Sequence, residues 1–209
     1  MPRKSWSENN FVLITGDPNI FLIGSSNAVG ILKTDLVKSK VVDLTEGGMS
    51  VIINSKKSLL RIVPKPTPDK RIILVVGSNG FEINDYALFK EHYVNCLKEL
   101  FHVGYHNHQV LVVLPLIRGG NTVSYDEQLK IMRELKAGFK FLKVATVCWI
   151  DLLSERLQNS LNVYGKRDMK LKRYIHYSEE VRMALSNFVE KLVREGFDKS
   201  RQDLLGKRN

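Results

Sequence analysis

The chain has 209 residues, 44% of them hydrophobic and 26% charged, which suits one globular domain and excludes a chain that is disordered throughout. Lysine and arginine outnumber aspartate and glutamate by 32 to 22, a formal net charge of +10, so a polyanion is the expected partner, nucleic acid first and an anionic membrane surface second. The two cysteines, Cys96 and Cys148, sit in apolar periodic segments, read as buried free thiols, and make no zinc site.

In chain order, "MPRKSWSENN" has no apolar run behind its basic start, so residues 1–10 read as a flexible tail with no signal peptide; no membrane span follows, and an intracellular, cytoplasmic protein is expected. "FVLITG" and "NIFLIGSS" are β-branched, near-continuous apolar runs, the pattern of strands buried on both faces. A short strand, "KVVDL", comes next. "PKPTPDK" is a stiff connection whose three prolines keep it out of the strand "RIILVVGSNG", and Lys56, Lys57 and Arg61 ahead of it are expected at the surface. "NDYALFKEHYVNCLKELF" has helical period, with Phe89, Tyr93, Cys96, Leu97 and Leu100 on one stripe. His102, His106 and His108 cluster in "FHVGYHNHQV", but no metal site is assigned to them. "QVLVVLPLI" is another strand. "SYDEQLKIMRELKAGFKF" opens with a capping box, Ser124 and Glu127, and carries Leu129, Met132 and Leu135 on its apolar face. "LKVATVCWI" is a weaker strand. "SEEVRMALSNFVEKLVREG" is a helix capped by Ser178, buried through Val181, Leu185, Phe188, Val189 and Leu192, and stopped by Gly196. Strands alternating with helices of this length imply an α/β fold, three layers with a mostly parallel sheet. Residues 11–198 form the single domain, and 199–209 a basic tail.

In such sheets ligands lie outside the carboxyl ends of the strands. Three of those ends carry small polar residues: Gly24, Ser25 and Ser26; Gly47 and Gly48; Gly77 and Asn79. His176 stands in a loop feeding the last helix. A serine at a helix start can attack an acyl carbon if a histidine takes its proton, and a glycine amide and an asparagine side chain can hold the oxyanion. Ser26, Gly47 or Gly48, Asn79 and His176 would fill those roles. Alternatively, these residues only turn strands into helices, cap and pack.

The same order of residues resembles the SGNH, or GDSL-like, hydrolase superfamily from Phe21 to about Gly196. That resemblance implies a flavodoxin-like sheet and esterase or lipase chemistry on acyl esters. In "IGSSNAVG", Ser26 takes the nucleophile position and Ser25 replaces the aspartate of the first block. Gly48 is preferred over Gly47 for the second block. "VGSNG" supplies Gly77 and Asn79 of the third, with Gly80 where an aspartate is usual. "RYIH" supplies His176 of the last block, with Arg173 at the aspartate position.

Arg173 cannot orient the imidazole as a carboxylate does, and a nearby cation opposes imidazolium formation. Asp168 could serve only by swinging in from another loop. An efficient hydrolase is therefore not expected, and Ser26, Gly48, Asn79 and His176 read as vestigial; a weak serine–histidine esterase or a protein-interaction module are the alternatives. "GKRDMKLKR" concentrates Lys166, Arg167, Lys170, Lys172 and Arg173, an anion patch that Lys191, Arg194, Lys199 and Arg201 would extend. Tyr164, Tyr174 and Tyr177 flank it, and aromatics beside cations suit stacking on unpaired bases. A basic, catalytically degenerate member of the superfamily resembles the OSK-domain family of insect germ-plasm proteins. That resemblance implies binding of single-stranded messenger RNA, germ-granule proteins as further partners and residence in ribonucleoprotein granules. Esterase-like domains of mobile-element proteins are the rival resemblance. No cofactor, metal or membrane insertion is expected, and no heptad stretch points to an oligomer.

Overall fold

The apolar runs pair into one parallel sheet in a computed structural model that describes residues 20–76, 86–115, 125–158 and 176–206. Its strands are β1 (Ile20–Gly24), β2 (Val41–Asp43), β3 (Arg71–Val75), β4 (Val110–Leu114) and β5 (Ala145–Cys148), in the order β2-β1-β3-β4-β5. All four pairings are parallel, with Phe21 opposite Ile72, Ile72 opposite Val110 and Leu111 opposite Ala145. "FVLITG" lies outside the described residues.

Each strand sends alternate side chains to opposite faces, and helices cover both, so apolar residues are needed at nearly every strand position. Ile72 and Leu74 pack under α2 (Tyr86–His102) and α3 (Tyr125–Phe141), against Phe89, Tyr93, Leu97, Met132, Leu135 and Phe139. Ile73 and Val75 face the other way, toward α1 (Asp35–Lys40) and α5 (Glu179–Glu195), against Val37, Val181, Leu185 and Val189. The result is the expected three-layer α/β/α sandwich. Both cysteines are buried free thiols in the layer under α2 and α3. The proline connection is pinned where Tyr105 donates its hydroxyl to Pro64 O at 2.8 Å. Lys56, Lys57 and Arg61 are exposed as expected.

Three local expectations change. The chain after β1 forms turns over residues 26–30 rather than a helix beginning at Ser26. "LKVATVCWI" is extended only over Ala145–Cys148, then tightens into a 3₁₀ turn at Trp149–Leu152 before the one-turn α4 (Glu155–Gln158). The expected basic tail begins inside a further helix, α6 (Phe197–Gly206). Gly196 adopts φ +90°, which lets the chain leave α5, and α6 then docks through buried Phe197 and partly buried Leu204 and Leu205. Among the described residues no helix is long and apolar enough to cross a membrane.

Candidate active site at the carboxyl end of the sheet

The first strand ends in a crowded corner. A Cβ on Gly24 would sit 2.6 Å from Ala28 Cβ and 3.2 Å from Val75 O, so only glycine lets β1 turn this close to β3. Ser25 is buried and donates its N–H to Val75 O at 3.1 Å. Ala28 donates its N–H to Ser25 O at 2.8 Å, closing a turn with Ser26 and Asn27 at its corners. Ser26 stays partly exposed, while Asn27 is buried.

Asn27 makes the decisive contact. Its Oδ1 accepts the backbone N–H of Tyr177 at 3.0 Å, across 150 residues of chain. The sequence neighbours of that bonded pair are Ser26 and His176, so the turn bearing the serine and the loop bearing the histidine are fastened together. His176 is exposed. Tyr177 is buried and meets the edge of Trp149 at 4.9 Å between ring centroids, while Trp149 donates its indole N–H to Val181 O at 3.1 Å. Ser178 caps α5 by accepting Val181 N–H. Farther along, Arg182 donates to Val29 O, and Ser186 donates its hydroxyl to Ile31 O at 2.6 Å. Helix α5 thus holds the chain after Ser26 at two points, and Tyr177 just before it supplies a third.

The second glycine block reaches the same corner. Leu44 and Glu46 donate their N–H groups to Leu22 O and Gly24 O, carrying the chain after β2 along β1 to its end. Met49 N–H bonds Glu46 O, and the turn so closed places Gly48 at φ +82°. A side chain there would be strained by conformation, not by crowding. Gly47 has neither constraint. An exposed ion pair, Lys57 with Glu46, borders the turn. On the β3 side, Tyr93 donates its hydroxyl to Val76 O at 3.2 Å and fixes the strand end from which the third block departs. Asn79 lies outside the described residues, as do Lys166, Arg167, Asp168, Lys170, Lys172, Arg173 and Tyr174.

One expectation about the anion track is corrected. Tyr177 is packed in the core and presents no face for a base. Lys191 and Arg194 are carried away from His176 by the axis of α5, about 20 Å beyond Ser178 at 1.5 Å per residue. They also pair within the helix, Lys191 with Glu195 at 3.9 Å and Arg194 with Glu190 at 2.6 Å.

The opposite, amino end of the sheet gathers charge that local sequence did not reveal. Arg71, the first residue of β3, pairs with Asp198 of α6 through two hydrogen bonds of 2.9 and 3.0 Å. His106 and His108 stack with ring centroids 5.5 Å apart. The His108 imidazole is held below its usual range, by burial first and then by Arg71, His106 and Arg201, against Asp198. Among the described residues no three His, Cys, Asp or Glu side chains are grouped to hold a metal ion. Of the site residues, Asn27 was the one missed: asparagine in a turn is common, and nothing nearby in the sequence points to a partner 150 residues away.

No protein-family profile matches the sequence, and no curated protein matches it. Solved structures do match in fold. A lipolytic protein of the G-D-S-L family from Veillonella parvula aligns with TM-score 0.60 at 17% identity, over 83% of this chain and 96% of that one. A protein described as a platelet activating factor from Streptococcus pneumoniae aligns with TM-score 0.59 at 16% identity, over 87% and 86%. A protein described as an acylhydrolase from Bacteroides fragilis aligns with TM-score 0.57 at 13% identity, over 84% and 86%. What this chain shares with these structures is the fold, a three-layer α/β/α sandwich around a parallel five-stranded sheet.

Proposed function

We propose that the protein is an acyl-ester hydrolase of low turnover, with Ser26 as nucleophile and His176 as its base. The observation that carries this reading is the Asn27 Oδ1 to Tyr177 N–H bond, which joins the two loops at the carboxyl end of the sheet. Acyl hydrolysis also agrees with the names of structures sharing the fold. In this scheme Ser26 Oγ attacks the acyl carbon as His176 takes its proton. The carbonyl electrons move to oxygen, where the Gly48 amide and the Asn79 side chain are the expected donors. His176 then returns the proton to the leaving alcohol, and water repeats the cycle to free the acid. By the resemblance, Arg173 takes the sequence position of the aspartate that would orient the imidazole. In serine proteases, exchanging that aspartate for asparagine costs about 10⁴ in turnover, so the rate here is low. Hydrolysis of p-nitrophenyl butyrate tests the scheme: Ser26→Ala abolishes it and Arg173→Asp raises it. Equal turnover by wild type and Ser26→Ala removes the reading.

The net charge of +10 favours a second reading, a scaffold that binds single-stranded messenger RNA. The resemblance to the carboxyl-terminal domain of Oskar belongs here, with germ-granule assembly as the implied setting. Lys166, Arg167, Lys170, Lys172, Arg173 and Tyr174 are its first candidates. RNA affinity against salt, for wild type and Lys172→Ala plus Arg173→Ala, tests it. A steep salt dependence lost in the double variant supports this loop as the surface.

A further inference from the structure

The amino end of the sheet has more positive charge than its own carboxylates answer. Arg71 takes up Asp198 and also donates to Pro68 O and Lys70 O. Lys70 Nζ is tied to Lys65 O at 2.8 Å, which fixes a second cation beside it. Arg201 reaches across to Lys143 O at 3.4 Å, while its Nε is buried without a partner. Lys70, Arg71 and Arg201 thus stand against Asp69 and Asp198 in this chain of contacts. Beside them the stacked His106 and His108 are both exposed.

We propose that this cluster is the docking surface for single-stranded nucleic acid, with a backbone phosphate at Arg201 and Arg71 and a base against the His106–His108 stack. This rests on the second, RNA-binding reading and moves its surface to the end of the sheet opposite Ser26. A phosphate would supply the second anion that two guanidinium groups sharing Asp198 lack, and charge-assisted bonds of this kind are the strong ones. Exposed planar rings beside cations provide sequence-tolerant stacking. The imidazoles add a pH dependence. His108 faces Arg71 from β3, Arg201 and Asp198 from α6 and His106 from its own turn. Bound phosphate favours its protonated form, so affinity rises as pH falls.

Fluorescence anisotropy with a labelled single-stranded RNA oligonucleotide tests this on the full chain, across salt and from pH 8 to about pH 5.5, through the imidazole range. His106→Ala plus His108→Ala, both exposed, is expected to weaken binding about tenfold and to flatten the pH dependence. Arg201→Gln is expected to reduce the salt slope by about one. Lys98→Ala, an exposed lysine of α2 outside this cluster, is expected to bind as wild type does. Salt-sensitive binding left unchanged by both the histidine and the Arg201 variants overturns this surface while leaving RNA binding intact. Absence of salt-sensitive binding by the wild type overturns both.

Discussion

The two ends of the sheet are about 13 Å apart along β1, and they are held together by different forces. The carboxyl end is tied by neutral, mostly buried hydrogen bonds: Ser25 to Val75, Asn27 to Tyr177, Trp149 to Val181 and Ser186 to Ile31. The amino end has neutral bonds as well, from Tyr105 to Pro64 O and from Gln109 to Thr67 O and Lys70 O, but it adds charge, Arg71 pairing with the well-exposed Asp198. Neutral buried bonds are insensitive to salt and cost most when one partner is left alone. Exposed ion pairs are screened and contribute little. The candidate catalytic loops therefore rest on buried neutral bonds, and the candidate polyanion surface includes an ion pair whose carboxylate is exposed.

The largest test of that contrast is Trp149→Ala. It removes a fully buried ring, the edge contact to Tyr177 and the bond to Val181, and should lower unfolding free energy in urea by about 3–5 kcal/mol. Asn27→Ala comes next. It strands the buried Tyr177 N–H at about 1–3 kcal/mol, and should reduce ester turnover without changing RNA affinity. An Asn27→Ala protein as stable as wild type would break the comparison. At the amino end, Asp198→Asn should cost less than about 1 kcal/mol, because the aspartate is largely exposed. Its effect has a pH signature. The hydrogen bond from Arg71 holds the Asp198 carboxyl below its usual range, despite partial burial. The ion pair's contribution is thus complete above about pH 4 and fades as pH falls through the folded-state value. Acid titration of stability should show this limb in wild type and not in Asp198→Asn. Smallest is Arg194→Ala, about 0.3–0.5 kcal/mol in the same urea assay, since it loses only a surface pair with Glu190.

Which parts were legible in the sequence follows from how local their causes are. "RIILVV" reads as a strand because both faces are covered and every position must be apolar. Helix α5 reads from Ser178 to Gly196 because its cap, stripe and stop are all local, and the structure keeps Glu179–Glu195. By contrast, α6 is mostly polar and becomes ordered through Phe197, Leu204, Leu205 and the Arg71–Asp198 pair, none of which is a local signal. The positions of Ser26 and His176 at a strand end and before a helix were readable. The Asn27–Tyr177 bond that unites them was not, because it spans most of the fold. The charged amino end is assembled from β3, the turn before β4 and α6, segments that sequence alone leaves unrelated.

The two buried cysteines give the molecule an internal reporter. Burial pushes the thiols of Cys96 and Cys148 each up to about 12. Only the thiolate reacts with alkylating agents, and at neutral pH its share is about 10⁻⁵ for such a group. Alkylation must then wait for the layer under α2 and α3 to open. Its rate clocks the breathing of one half of the sandwich, with no label added and no residue changed.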